Sequence, residues 1–229
     1  MVLMKVSVGL KAACFVLAVS GLVLVCLCRY LPYWETNTSE RDSISRWAGL
    51  WIKCQMFQTR NRDCDDFKRF YLGIPETILL ARKFTMASMM CAVIAVASTV
   101  ATLILGLINF KMKRLRLKIL MMTAFIANTQ VALGSGVCVL FAVTIFFYDM
   151  QQRNHDQLSK FSWERGPVYE PGRSLYYGWI GGGLLICGGI LSLIAAVCSV
   201  IHLWRLRKER DNFGAMLHRP LVTSTVTTM

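Results

Sequence analysis

At 229 residues, 55% of them hydrophobic and only 17% charged, the chain is too apolar for an ordinary soluble domain, yet it carries a formal net charge of +13. Crossing a bilayer takes about 20 largely apolar residues, and four runs are that long: 8–28, 84–110, 119–148 and 175–204. Runs of this kind satisfy their own backbone in lipid only as helices, which excludes an open sheet at membrane depth and predicts a mainly α membrane protein.

The first run follows Lys5 and contains Lys11, as the start of a signal peptide would. It is longer than a signal core, and its end, Cys26-Leu27-Cys28-Arg29, lacks the small residues of a cleavage site. A retained membrane helix is expected. Leu31-Pro32-Tyr33-Trp34 comes next, with a proline to stop the helix and aromatics suited to the interface. Asn37-Thr38-Ser39 is a glycosylation sequon, so Asn37 is a candidate acceptor.

From 47 to 57 the residues alternate as one strand does, with Leu50, Ile52, Cys54 and Met56 on one face and Trp47, Gly49, Trp51 and Lys53 on the other. Residues 59–62 suit a turn, which places Cys64 opposite Cys54 on a returning strand. An isolated hairpin is marginal in water and needs a clamp or a surface to sit on. Trp34 and Trp51 are the expected anchors onto the helices. Beyond Cys64, Phe67, Phe70 and Tyr71 have helical spacing in a short segment ended by Gly73-Ile74-Pro75.

The positive charge is unevenly placed. Five basic residues and no acid occupy 111–118, and Arg205, Arg207, Lys208, Arg210 and Arg219 follow the fourth run. The polar segments 35–78 and 149–174 are balanced, with seven and four charges of each sign respectively. The positive-inside rule then puts both termini and 111–118 in the cytoplasm and both balanced loops outside. Attraction to anionic inner-leaflet lipid accounts for the basic excess, so the bilayer is the expected partner and nucleic acid is not. Of nine cysteines, Cys54 and Cys64 are the pair in an outer loop, where oxidising conditions favour a bridge.

Small residues recur in the later runs: Ala95, Ala97, Ser98 and Ala101, then Gly134-Ser135-Gly136, then Gly178, Gly181, Gly182, Gly183, Gly188 and Gly189. These suit close packing of helices within one bundle. Between 84 and 110, 119 and 148, and 175 and 201 there is no Asp, Glu, Lys, Arg or His, and Asn109, Asn128 and Gln130 are the strongly polar exceptions. Ion-coupled transporters usually carry ionisable residues at such depth. No metal-ligand spacing, nucleophile elbow or phosphate loop is present. Neither an enzyme nor a cofactor is expected.

Trp34, Gly49-Leu50-Trp51, Cys54 and Cys64, following a first membrane helix, resemble the signature of the claudins, the four-helix proteins of tight junctions. Ala81-Arg82 resembles the pair that closes the first extracellular segment in that family. The stretch from Tyr169 through Glu170, Gly172 and Leu175 to Gly178-Trp179 resembles the motif that opens its fourth helix. The resemblance covers roughly residues 8–204. It implies a left-handed four-helix bundle topped by an extracellular antiparallel sheet. The membrane domain would be 1–204, with outer loops at about 29–83 and 149–174, an inner loop at 111–118 and a cytoplasmic tail at 205–229.

The resemblance also implies a multi-pass plasma-membrane protein of the bicellular tight junction. It would polymerise with itself and other claudins in the same and the opposing membrane, forming a paracellular barrier or a charge-selective pore. Asp65 and Asp66 match positions that can line such a pore. Phe70 matches a residue offered to a neighbouring protomer, with Leu158 and Phe161 near its docking site. The family's aromatics at that second-loop tip are replaced here by Ser159 and Lys160. The chain ends Thr227-Thr228-Met229, so Thr227 and Met229 are the candidate contacts for a PDZ scaffold by strand addition. The alternative function on this fold is an auxiliary subunit of an ion channel or receptor.

Overall fold

The computed structural model describes residues 2–39, 44–56, 62–66, 74–109, 115–160 and 168–217. Four long helices are present: α1 (Val2–Tyr30), α2 (Glu76–Asn109), α3 (Leu115–Lys160) and α4 (Arg173–Leu217). Each contains an apolar segment long enough to cross a membrane. α1 packs chiefly on α4, α4 on α3 and α3 on α2. The chain is a multi-pass membrane protein.

The helix ends follow local chemistry. α1 stops two residues before Pro32, and α2 starts directly after Pro75, whose carbonyl accepts from the Ile78 and Leu79 amides. Two helices outrun the apolar runs. α3 continues past Tyr148 to Lys160, about 18 Å of helix beyond the apolar segment. No Gly or Pro interrupts 149–160, and Asp149 pairs with Arg153 one turn on. α4 continues to Leu217, so the segment expected as a tail from 205 begins as helix.

Five short strands form one antiparallel sheet: β1 (Glu35–Ser39), β2 (Ile44–Ala48), β3 (Ile52–Met56), β4 (Arg62–Asp66) and β5 (Tyr169–Pro171), in the order β4-β3-β2-β1-β5. The expected single strand over 47–57 is therefore corrected to two. The chain turns at Gly49-Leu50-Trp51, where the Gly49 amide donates to the Ile52 carbonyl at 2.9 Å. Alternation through this point misled because Leu50 is buried as a turn residue, beneath the sheet, in the core of the bundle.

That core sits directly under the sheet and joins Cys28, Trp34, Leu50, Ile78, Ala81, Ala142, Val143, Phe146 and Leu175. A second cluster of Val25, Ala92, Val139 and Leu185 lies deeper, and Ala195 and Ala196 pack on Leu10 further along. Most helix glycines serve close approach inside the bundle. A Cβ at Gly178 would lie 2.5 Å from Val143 Cγ1 and 2.8 Å from Cys28 Sγ, and one at Gly136 would lie 2.9 Å from the Gly182 carbonyl. Gly134 and Gly183 meet nothing within 4 Å. Asn128 accepts from Ser98 at 2.5 Å and donates to Thr99 at 2.7 Å, so it ties α2 to α3. Ser88 and Ser135 exchange bonds to each other's carbonyls at 2.8 Å along the same seam.

Candidate contact surface

The sheet is fixed to the helices at one crowded joint. Trp34 is fully buried: its Nε1 donates to the Cys28 carbonyl at 2.7 Å, and its ring meets Phe146 edge-on at 5.0 Å. The Cys28 carbonyl belongs to the last turn of α1, where carbonyls lack helical partners. Arg82, from α2, donates through Nε to the Leu50 carbonyl at 2.7 Å and so satisfies a turn carbonyl that no strand reaches. Arg29, from α1, donates through Nη1 to the Arg82 carbonyl and to Thr85 Oγ1, each at 3.0 Å. Both guanidinium groups lie over the Trp51 ring, at 5.0 Å for Arg29 and 4.6 Å for Arg82.

Two glycines make the joint possible. A Cβ at Gly49 would stand 2.5 Å from Pro32 Cα, a backbone atom that cannot swing away. A Cβ at Gly172 would overlap the Tyr33 carbonyl. With no Cβ, the Gly172 amide reaches the Trp34 carbonyl at 3.0 Å, and Ser174 donates to the Tyr33 carbonyl at 2.9 Å. The start of α4 is thus hydrogen-bonded to the segment that joins α1 to β1. Trp179, one turn further, is half-buried against Phe147 at 5.4 Å. Glu170 is exposed on β5 and pairs with Thr36.

Cys54 and Cys64 are bonded and stand opposite each other on β3 and β4. The register sorts the remaining strand residues between two faces, since cross-strand partners share a face. One face carries Glu170, Thr36, Trp47, Cys54 and Cys64 in a row, with Arg62 over the Trp47 ring at 5.9 Å. The other carries Glu35, Ala48, Lys53 and Asp65, and beside them Tyr169, Asn37, Arg46, Gln55 and Asp63. α3 covers the inner part of this second face. Arg153 pairs with Glu35 at 2.9 Å and lies over the Tyr169 ring at 5.3 Å, while Asn154 brackets the Tyr169 backbone from both sides.

Asp65 and Asp66, the candidate pore-lining residues, are both exposed and lie on opposite faces of the sheet, because successive strand residues alternate. Asn37 is only 5% exposed, on the face turned toward α3, and its Oδ1 lacks a partner. Phe70, Phe161, Thr227 and Met229 lie outside the described residues, as does the Leu158 side chain. Neither Arg29 nor Arg153 stands out in the sequence: the i, i+4 spacing from Asp149 was the one available signal for Arg153, and Arg29 offers none beyond its place at a helix end.

A buried tryptophan after the first helix, a glycine-leucine-tryptophan turn, and one disulfide across adjacent strands now stand in a single unit on four membrane helices. The family model described as PMP-22/EMP/MP20/Claudin family matches residues 7–192, most of the chain. The chain belongs to this family. Among claudins of known sequence it is similar to claudin-4 of Chlorocebus aethiops, 27% identical over 190 residues, covering 80% of this chain and 84% of the relative. Claudin-5 of Homo sapiens is 26% identical over 191 residues, 78% of each chain. Claudin-2 of Homo sapiens is 25% identical over 224 residues, covering 95% of this chain and 88% of the relative. The motif residues of this family member therefore form one mechanical unit, a clamped sheet seated on the bundle.

Proposed function

We propose that this chain is a claudin-type adhesion protein of tight junctions, with the sheet outside the cell and both termini in the cytoplasm. Copies of it, and other claudins, grip the sheet from the same and the opposing membrane and seal the paracellular gap. The observation that carries this reading is the rigid seating of the sheet. Contact through a surface held by Trp34, Leu50, Arg82 and Gly172 costs little ordering entropy on association.

The charge pattern favours a barrier with at most a weak ion preference. Asp65 is the acid that a pore reading needs, yet Lys53 stands directly across from it, and Arg46 shares its face with Asp63. All four side chains are exposed. Neighbouring strands are about 4.8 Å apart, well inside a Debye length of about 8 Å at physiological salt, so the Lys53 and Asp65 fields largely cancel, while Arg46, two strands from Asp63, offsets it only weakly.

The test is paracellular conductance with ion substitution in a resistive epithelial layer that expresses the chain. The expected result is junctional enrichment and raised resistance, with little change in the sodium-to-chloride permeability ratio. Lys53→Gln should then raise cation preference, since it leaves Asp65 and Asp63 opposed by Arg46 alone. Diffuse surface staining with unchanged resistance would sink the adhesion reading. An unchanged ratio in Lys53→Gln would sink the charge argument.

A further inference from the structure

The joint between α1, α2 and the sheet holds two cations and no anion. Arg29 and Arg82 are 6% and 7% exposed, and no carboxylate among the described residues pairs with either. Their bonds go to neutral acceptors: the carbonyls of Arg82 and Leu50 and the Thr85 hydroxyl. The Trp51 ring faces both groups but offers no acceptor. Three buried N–H donors at this one place lack a partner among the described residues: Arg29 Nε, Arg82 Nη2 and Trp51 Nε1. Buried charge of one sign with unspent donors is an arrangement that folded proteins compensate.

An anion with several oxygens would meet these donors and offset the paired positive charge, and phosphate is what guanidinium forks match best. Position decides the source. Arg29 is in the last turn of α1 and Arg82 is near the start of α2, so the site lies at the sheet-side end of the bundle. Its outer rim carries Tyr30 and Lys83, both exposed, and Leu79 and Met86, exposed on the lipid side of α2. A tyrosine and a lysine at this depth suit the headgroup region, and the apolar pair suits acyl chains. Because α1 leans on α4 and α2 on α3, the α1–α2 seam is the most thinly packed of the four helix seams.

We propose that this seam binds the phosphate diester of a phospholipid from the sheet-side leaflet, with Arg29, Arg82 and Trp51 donating to its oxygens. Entry needs the Trp51 side chain, half-buried over both guanidinium groups, to shift. The bound headgroup would stiffen the Gly49-Leu50-Trp51 turn that Arg82 already holds. Lipid occupancy and the set of the sheet would thereby be coupled. The proposal stands whether the sheet seals a junction or serves another contact.

The experiment is native mass spectrometry of the full chain, purified in dodecyl maltoside and stripped of lipid. It is titrated in parallel with dioleoylphosphatidylglycerol, dioleoylglycerol, inorganic phosphate and an acidic hexapeptide. One phosphatidylglycerol per chain should be retained, at least tenfold more tightly than dioleoylglycerol, with no retention of phosphate or peptide. Trp51→Phe keeps an aromatic face under the guanidinium groups but loses the indole and its donor, and should weaken retention severalfold; Arg29→Gln should weaken it at least tenfold. Both are compared at unchanged helix content and elution volume. Equal retention of dioleoylglycerol, or unaltered retention in both variants, would overturn the proposal. So would capture of free phosphate or of the peptide in place of the lipid, the latter pointing to an acidic protein segment.

Discussion

Trp34→Ala tests whether the sheet is held from below. The residue is fully buried, its indole N–H donates to the Cys28 carbonyl at 2.7 Å, and its ring abuts Phe146. Truncating a buried aromatic to alanine costs about 3–5 kcal/mol. Trp34→Phe keeps a six-membered ring against Phe146 but removes the indole N–H with the rest of the bicycle; the lost hydrogen bond, with the carbonyl left buried, is the larger part, about 1–2 kcal/mol. Both losses fall across the joint, so they lower the free energy of lifting the sheet off the helices before they touch the bundle. Since about 1.4 kcal/mol is tenfold in an equilibrium, Phe should speed exchange of the sheet amides roughly 5- to 30-fold and Ala by more than about 100-fold. Hydrogen exchange of the detergent-solubilised protein, read peptide by peptide over β1–β4, measures that opening directly. Protection in Trp34→Ala within twofold of wild type would refute the anchoring argument. So would equal loss in the α2–α3 seam, because sheet and bundle would then open as one.

Gly49→Ala should lower sheet protection as far as Trp34→Ala, because the new Cβ meets the Pro32 backbone, whereas Gly183→Ala should be neutral by the same measurement. Cys54→Ser removes a constraint of roughly 3 kcal/mol in the chain-entropy account; the helices should still insert, while β3 and β4 lose protection and junctional assembly fails. Asn37→Gln should leave gel mobility unchanged, and glycosidase treatment of the wild type should give no shift, as its burial implies. Arg153→Gln breaks a part-exposed pair with Glu35, about 0.5–1 kcal/mol, and should speed exchange at Tyr169–Pro171 by two- to fivefold with β3 and β4 unaffected.

The helices were legible because lipid imposes one rule on every span, and four uninterrupted apolar runs obey it. The disulfide was legible too: Cys54 and Cys64 are the cysteines outside those runs, and the register sets them face to face. The strand break was not. Gly49-Leu50-Trp51 continues the alternation of 47–57, and only the three-dimensional core shows Leu50 turning down into it. β5 was hidden by length, since three residues carry no period and gain their strand geometry from pairing with β1. The outer part of α3 was read as loop because it is polar, although an absence of Gly and Pro is the stronger signal for a helix in water. Arg29 needed its partners: a basic residue at a helix end is ordinary until an indole and a second arginine are found against it.

The sheet's two edges constrain how copies can join. β4 and β5 are the terminal strands, and they differ in kind. β5 is three residues long and stands beside α3, which shields it. β4 is exposed at every position and carries Asp63, Asp65 and Asp66 against Arg62. Two copies meeting β4 to β4 would set these acids against one another, and like charges directly across a strand pair are destabilising. Such a contact would also be isologous and would close at a dimer. An open chain of copies requires a heterologous contact, in which β4 meets a different and more basic surface of its neighbour. The acidic edge therefore disfavours the closed arrangement, and the assembly we propose would have to join through a heterologous contact.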